Sequence, residues 1–137
     1  FAHNDPYHCR RILREARAGH PRCLVLTEGV FSMDGDRAPL DALAELAEEY
    51  DAWLLVDDAH GFGVLGGGRG ASFESDPAPA IPLHMGTLSK AIGAYGGFIC
   101  ASKRVIELIE TRARSLIYST GLPPAVVASA SNAMLTR

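Results

Sequence analysis

The sequence lacks the features of membrane proteins and of secreted, disulfide-bonded proteins. Its three cysteines lie far apart and form no Cys-x-x-Cys pair, so neither a disulfide framework nor a zinc ribbon is predicted. No apolar run approaches the roughly 20 residues that a membrane span requires, and no charged segment leads into an apolar one at the N-terminus. We therefore expect a protein of the reducing cytoplasm with no membrane partner.

An excess of charge of one sign is also missing. The 137 residues contain 16 acidic and 13 basic side chains, which gives a formal net charge of −3. No long single-sign block is present, so nucleic acid is not expected as a main partner. The sequence begins at Phe1 without Met and stops at Arg137 inside a helical pattern. We interpret it as an excerpt of a longer protein.

What the chain does contain is an alternation of short apolar runs with amphipathic segments. A run without polar alternation, such as the one at 23–26, is typical of a strand covered on both faces of a parallel sheet. The alternating order predicts an α/β fold with a mostly parallel sheet and helices on both faces. The expected helices are 6–18, 40–50, 105–113 and 125–135, and the expected strands are 23–26, 53–56, 83–87 and 98–101.

Polar clusters follow three of the predicted strands. They span residues 28–36, 57–60 and 87–90. In open parallel sheets, ligands bind at the carboxyl ends of the strands. The three clusters are therefore the first indication of a binding site.

One cluster leads into a literal Gly-x-Gly-x-x-Gly pattern, from Gly61 to Gly66. A dinucleotide-binding turn of this kind must open directly into a helix. Here the residues that follow, 67–70, are Gly-Gly-Arg-Gly, which cannot start a stable helix. The pattern therefore favours a flexible loop that needs several positive φ angles.

A metal site is the second alternative. Asp57, Asp58, His60 and His84 are residue types that bind hard or borderline metals, but their spacing places no second pair of ligands. The simpler interpretation is that one aspartate caps the strand end and that His60 is an ordinary loop histidine.

A lysine among apolar residues and glycines favours a third chemistry. Lys90 lies in the segment Thr-Leu-Ser-Lys-Ala-Ile-Gly at 87–93, and partial desolvation would make its amine a nucleophile that forms Schiff bases. Pyridoxal phosphate needs such an amine, a carboxylate for its ring nitrogen, and hydroxyls for its phosphate. Lys90, Asp57, Thr87 and Ser89 match these requirements.

Four longer strings carry a family resemblance. TEGVFSMDGDRAPL (27–40), VDDAHGFGVLGGGRG (56–70), GTLSKAIGAYGGF (86–98) and IYSTGLPPA (117–125) resemble the α-oxoamine synthases. These are fold type I, aspartate aminotransferase-like, pyridoxal-phosphate enzymes. The resemblance implies that residues 1–137 are the central part of the cofactor-binding large domain. The N-terminal segment and the C-terminal small domain of the family are then absent from the excerpt.

The resemblance also implies a role for individual residues. Lys90 would form the Schiff base with the cofactor, Asp57 would pair with the pyridinium nitrogen, and His60 would contact the phenolic oxygen. Ser32 would contact the same region of the cofactor, and Thr87 and Ser89 would contact its phosphate. Thr120 would contact the phosphate or substrate of a partner subunit.

The activity implied by the resemblance is a decarboxylative condensation of an amino acid with an acyl thioester. Within the family, the resemblance implies L-alanine and a pimeloyl thioester as substrates, a reaction of biotin synthesis. It also implies a homodimer with its active site at the subunit interface, expected in the cytoplasm. Members that use other amino acids and acetyl, succinyl or palmitoyl thioesters remain open. A non-catalytic scaffold is the alternative from another class.

Overall fold

A computed structural model describes residues 1–136 of the protein. Each predicted helix and strand is present, with bounds shifted by a few residues, and one short helix, α4, was not predicted. The helices are α1 (Pro6–Ala16), α2 (Leu40–Glu49), α3 (Lys103–Arg112), α4 (Arg114–Ile117) and α5 (Pro124–Leu135). The strands are β1 (Leu24–Glu28), β2 (Trp53–Asp57), β3 (Leu83–Thr87) and β4 (Gly97–Cys100).

The four strands form one sheet in the order β1-β2-β3-β4. Strands β1, β2 and β3 are parallel, and β4 is antiparallel to β3, which confirms the prediction of a mostly parallel sheet. In the register, Asp57 is the partner of Glu28 on one side and of Met85 on the other. The carboxyl ends of the three parallel strands therefore lie at the same edge.

Helices α1 and α2 cover one face of this sheet. Helix α1 begins at Pro6, and the Asp5 side chain accepts a hydrogen bond from the backbone N–H of His8, which caps the first turn. The apolar positions of both helices recur at helical spacing, so they form buried stripes. The core of this layer consists of Cys9, Leu13, Val25, Leu40, Leu43, Ala44, Leu46, Ala47, Leu54, Val56 and Ala71.

The opposite face is open at β1 and at the start of β2. Leu24, Leu26 and Trp53 are 49%, 59% and 50% exposed, although their apolar runs predicted strands covered on both faces. Side chains alternate between faces along a strand, so Asp57 shares the face of Trp53, while Leu54 and Val56 face the helices. The carboxylate of Asp57 is thereby kept out of the core.

A second, smaller core supports the segment around Lys90. Leu88, Ile92 and Ala130 are buried together, with Phe62 and Phe98 packed against them. Helix α5 therefore backs this segment through Ala130. Among residues 1–136, no helix is both long enough and apolar enough to cross a bilayer.

Candidate active site

The loops that follow β2 and β3 bring together two of the predicted site residues. Lys90 Nζ lies 2.9 Å from His60 Nε2, although 30 positions separate the residues in the sequence. The Lys90 turn is closed by hydrogen bonds from the N–H of Gly93 to the carbonyl of Lys90 (3.0 Å) and from Ala94 to Leu88 (2.8 Å). The lysine therefore projects from an ordered turn toward the histidine.

The surroundings of Lys90 differ from the sequence-based expectation in one respect. The apolar neighbours Leu88 and Ile92 point inward and are buried, whereas Lys90 itself is exposed. The flanking residues anchor the turn against α5 and do not desolvate the amine. The apolar pattern around the lysine reflects this anchoring.

Asp57 ends β2 and presents its carboxylate at the carboxyl edge of the sheet. One oxygen accepts a hydrogen bond from the backbone N–H of Ala59 at 3.0 Å, which fixes the orientation of the side chain. The other oxygen has no hydrogen-bond partner among residues 1–136. The carboxylate can therefore accept a hydrogen bond from a protonated ring nitrogen.

Two hydroxyls and a backbone N–H meet at the end of β3. The Thr87 hydroxyl donates to the carbonyl of Gly96 at 3.0 Å, and its oxygen lies 2.7 Å from the Ser89 hydroxyl. Because the Thr87 proton is used at Gly96, Ser89 is the donor between the two hydroxyls. The Ser89 N–H also approaches Thr87 Oγ1, at 3.3 Å. Both hydroxyls are satisfied within the chain in this arrangement, and they could serve an anionic group beside Lys90, such as a phosphate, by exchanging these bonds.

The structure does not bring Ser32 and Thr120 into this cluster. Ser32 is an exposed residue of the turn after β1, a turn that is closed by the N–H of Phe31 bonding to the carbonyl of Asp36 (2.9 Å). Thr120 is exposed between α4 and α5. Within residues 1–136, no hydrogen bond joins either side chain to Asp57, His60 or Lys90. Their roles stay predictions.

Neither alternative site has the required geometry in the part of the chain that the structure describes. No group of three or more His, Cys, Asp or Glu side chains is arranged to hold a metal ion there. The Gly-x-Gly-x-x-Gly segment is followed by 3₁₀ turns at Gly66–Gly68 and Ala71–Phe73. No α-helix begins where a dinucleotide-binding turn would need one.

Asp58 is the site residue whose importance the sequence did not reveal. Its side chain is 5% exposed, and one carboxylate oxygen accepts a hydrogen bond from the backbone N–H of Ala71 at 2.8 Å. Burial raises the pKa of Asp58 from its ordinary 3.8 to about 6; the Ala71 bond opposes the rise, and the carboxylates of Asp57 and Glu74 add to it. The available sequence signal is the run of glycines at 61–70, which by itself indicates only loop flexibility.

Comparison with known proteins then decides the family. The sequence profile described as aminotransferase class I and II matches residues 1–137. The chain belongs to this family.

The relatives of this aminotransferase-family chain are α-oxoamine synthases, which confirms the resemblance found in the sequence. A protein named 8-amino-7-oxononanoate synthase from Beijerinckia indica is 60% identical over 98% of this chain and 35% of its own length. The chain thus spans about a third of the length of the curated relatives it matches.

Solved structures confirm the fold type. Serine palmitoyltransferase from S. paucimobilis, with a bound PLP-myriocin aldimine, has a TM-score of 0.91 and 34% identity and covers 99% of this chain and 35% of its own. The 8-amino-7-oxononanoate synthase of Francisella tularensis has a TM-score of 0.70 and 32% identity, over 90% of this chain and 37% of its own. The chain therefore has the α/β architecture of fold type I enzymes.

The raised pKa of Asp58 predicts a specific pH dependence of stability. Between its ordinary pKa of 3.8 and about 6, the folded chain holds the Asp58 proton more tightly than the unfolded chain does. The contribution of Asp58 to the free energy of unfolding therefore falls as the pH rises through this range, and it is constant above it. Asp58→Asn should remove this contribution.

The measurement is urea unfolding of the wild type and of Asp58→Asn between about pH 4 and pH 7. We expect the wild type to lose stability relative to Asp58→Asn as the pH rises. The exposed Asp76 provides the control, since Asp76→Asn should follow the wild type. Parallel curves for the wild type and Asp58→Asn would contradict the assignment.

Proposed function

We propose that the complete protein binds pyridoxal 5′-phosphate on Lys90 and condenses L-alanine with a pimeloyl thioester, on coenzyme A or on a carrier protein. The products would be 8-amino-7-oxononanoate, an intermediate of biotin biosynthesis, together with carbon dioxide and the free thiol. The observation that carries the proposal is the 2.9 Å contact between Lys90 Nζ and His60 Nε2 at the sheet edge that also presents Asp57. The name of the Beijerinckia indica relative supports the choice of substrates.

The residues at this edge fit the cofactor in type and in placement. Pyridoxal phosphate needs an amine for its aldehyde, an acceptor for its ring N–H and donors for its phosphate. Lys90 supplies the amine, the partner-free oxygen of Asp57 accepts, and Thr87 and Ser89 supply hydroxyls two residues apart that already meet at 2.7 Å.

When bound, pyridoxal phosphate supplies an electron sink that stabilises negative charge at the α-carbon of an amino acid. Lys90 would hold the cofactor through its amine, and the released amine would take the α-proton at Nζ as a general base. Asp57 would keep a proton on the ring nitrogen. His60 would orient the Lys90 amine and contact the phenolic oxygen.

The remaining features of the complete protein are part of the same proposal. Residues 1–137 form the middle of the cofactor-binding large domain, flanked by an N-terminal segment and a C-terminal small domain. Two subunits form a homodimer in the cytoplasm, with Ser32 at the cofactor and Thr120 directed to the phosphate or substrate of the partner. The exposure of Thr120 and its separation from the Lys90 cluster support a role across an interface.

A second candidate is another α-oxoamine synthase, which would use a different amino acid and acyl thioester. The observation that favours it is the TM-score of 0.91 with serine palmitoyltransferase, against 0.70 with the Francisella tularensis synthase. The 60% identity to the Beijerinckia indica protein outweighs it, because substrate preference depends on side chains more than on the backbone path. A non-catalytic scaffold would have no need for both Lys90 and Asp57.

The first test of the proposal is covalent labelling of Lys90. Pyridoxal phosphate added to the complete protein should produce a visible absorption band, and borohydride should abolish it and fix the cofactor to one peptide. The 137 residues contain two lysines, Lys90 and Lys103, so Lys103→Ala is the matched control and should retain labelling. The proposal fails if Lys90→Ala is labelled as well as the wild type is.

The second test concerns Asp57. Asp57→Asn should still be labelled at Lys90 by borohydride, but it should lower kcat by about 100-fold or more, since a preorganised charge next to the reacting system is lost. Steady-state kinetics of the complete protein would measure the change, with Asp76→Asn as the control for a general effect of removing a carboxylate. Wild-type kcat in Asp57→Asn would exclude the assigned role.

The third test separates the substrates. Alanine, glycine and serine should each be offered with pimeloyl, acetyl, succinyl and palmitoyl thioesters, and release of the free thiol measured. We expect the highest kcat/KM for alanine with the pimeloyl thioester. A preference for glycine or serine would assign the protein to another α-oxoamine synthase and leave the lysine chemistry intact.

A further inference from the structure

The buried carboxyl of Asp58 is not used by the proposed chemistry, yet the residue is hydrogen-bonded to several segments around the site. Its backbone N–H donates to the carbonyl of Met85 (2.8 Å), and its own carbonyl accepts from the N–H of Phe62 (2.9 Å). Its side chain accepts from the N–H of Ala71 at 2.8 Å. Asp58 therefore links β3, the start of the glycine-rich loop 61–70 and the residue that follows this loop.

Three glycines surround the Asp58 carboxyl from three different segments. A Cβ atom added at Gly29, Gly61 or Gly70 would collide with a carboxyl oxygen of Asp58. Gly29 and Gly61 do not have a positive φ, so lack of space, not backbone conformation, requires glycine there. Gly70 differs, because its φ of 119° is one that other residues rarely adopt. We call these three residues the glycine ring.

The segments of the glycine ring carry predicted site residues. Gly61 follows His60 directly, and Gly29 opens the turn that contains Ser32. The Gly29 N–H donates to the carbonyl of Asp57 at 2.8 Å, which ties the end of β1 to the end of β2. A carboxyl enclosed by these backbones determines the path of the chain on either side of His60.

We propose that Asp58 is a positioning residue: its buried carboxyl holds the glycine ring together and thereby holds His60 against Lys90. The functional part of this proposal rests on the proposed function, in which His60 and Lys90 contact the cofactor. The geometric part does not, since it concerns only the contact between His60 and Lys90. Both can therefore be tested separately.

A further property supports a positioning role over a purely structural one. The second carboxyl oxygen of Asp58, Oδ1, is buried without a hydrogen-bond partner among the described residues, and burial raises the pKa of the group. Burial of a carboxyl costs free energy unless its oxygens are hydrogen-bonded. The cost is consistent with a residue retained for the geometry that it imposes.

The first experiment is a thermal double-mutant cycle in the complete protein. Gly61→Ala should lower the unfolding midpoint by about 5 °C or more in the wild type, because the added methyl group collides with Asp58. In the Asp58→Ala background, Gly61→Ala should lower the unfolding midpoint by much less, because the carboxyl oxygens with which the methyl group collides are gone. Gly86→Ala is the matched control and should be equally harmful in both backgrounds, since its added methyl group would meet the Phe98 ring and not Asp58. Equal effects of Gly61→Ala in the two backgrounds would overturn the proposal.

The second experiment measures positioning in the cofactor-free protein. Lys90→Met should perturb the NMR resonances of the His60 ring strongly in the wild type, because the two side chains are in contact. Most of this perturbation should be lost in the Asp58→Ala background and kept in the Asp58→Asn background, since the amide oxygen can still accept from Ala71. An unchanged perturbation in Asp58→Ala would show that Asp58 does not position His60.

The two proposals fail in different ways. Absence of a borohydride-fixed cofactor in the wild type would refute the proposed function, while the cycle and the His60 resonances would still decide the geometric role of Asp58. Labelling of Lys90 together with an unchanged His60 perturbation in Asp58→Ala would refute the positioning role alone.

Discussion

Parallel pairing of β1, β2 and β3 is the constraint on which the site depends. The register places Asp57 between Glu28 and Met85, and hydrogen bonds from Gly29 to Asp57 and from Asp58 to Met85 extend the pairing beyond the strand ends. Because side chains alternate between faces, a slip of one residue would turn Asp57 toward the helices and Val56 away from them. The fully buried Leu54 and Val56 oppose such a slip, so the core that stabilises the sheet also orients the site.

The arrangement of the site lowers the stability of the fold locally. Asp58 is a buried acid, and one of its oxygens has no hydrogen-bond partner among residues 1–136. A Cβ atom at Gly29 or Gly61 would collide with its carboxyl group. Natural proteins commonly break local rules of this kind at functional positions. Here the buried acid lies next to His60 and Asp57. The apolar core of α1, α2 and the sheet supplies the stability that offsets the cost of burying it.

Apolar residues near the site anchor the Lys90 turn and pack β4 against the glycine-rich loop. Leu88 and Ile92 anchor the Lys90 turn to α5 through Ala130, and this anchoring leaves the lysine exposed and directed to His60. Phe98 packs close to Gly86, where a Cβ atom would lie 2.6 Å from the ring, and its ring meets Phe62 edge-on at a centroid distance of 4.9 Å. Through these contacts β4 and the glycine-rich loop pack against the turn that carries Lys90, so the position of Lys90 depends on both.

The sequence by itself determined the order of helices and strands, the parallel character of the sheet and the residue types at the strand ends. Local periodicity encodes these features, because burial on one face of a helix or strand leaves a pattern in neighbouring residues. The tertiary structure decided the contact between Lys90 and His60, the exposure of Lys90 and the enclosure of Asp58 by the glycine ring. Apart from Asp58 and Gly61, which are neighbours along the chain, the contacts named here join residues that are far apart in the sequence. They depend on strand register and loop path, which no local pattern specifies.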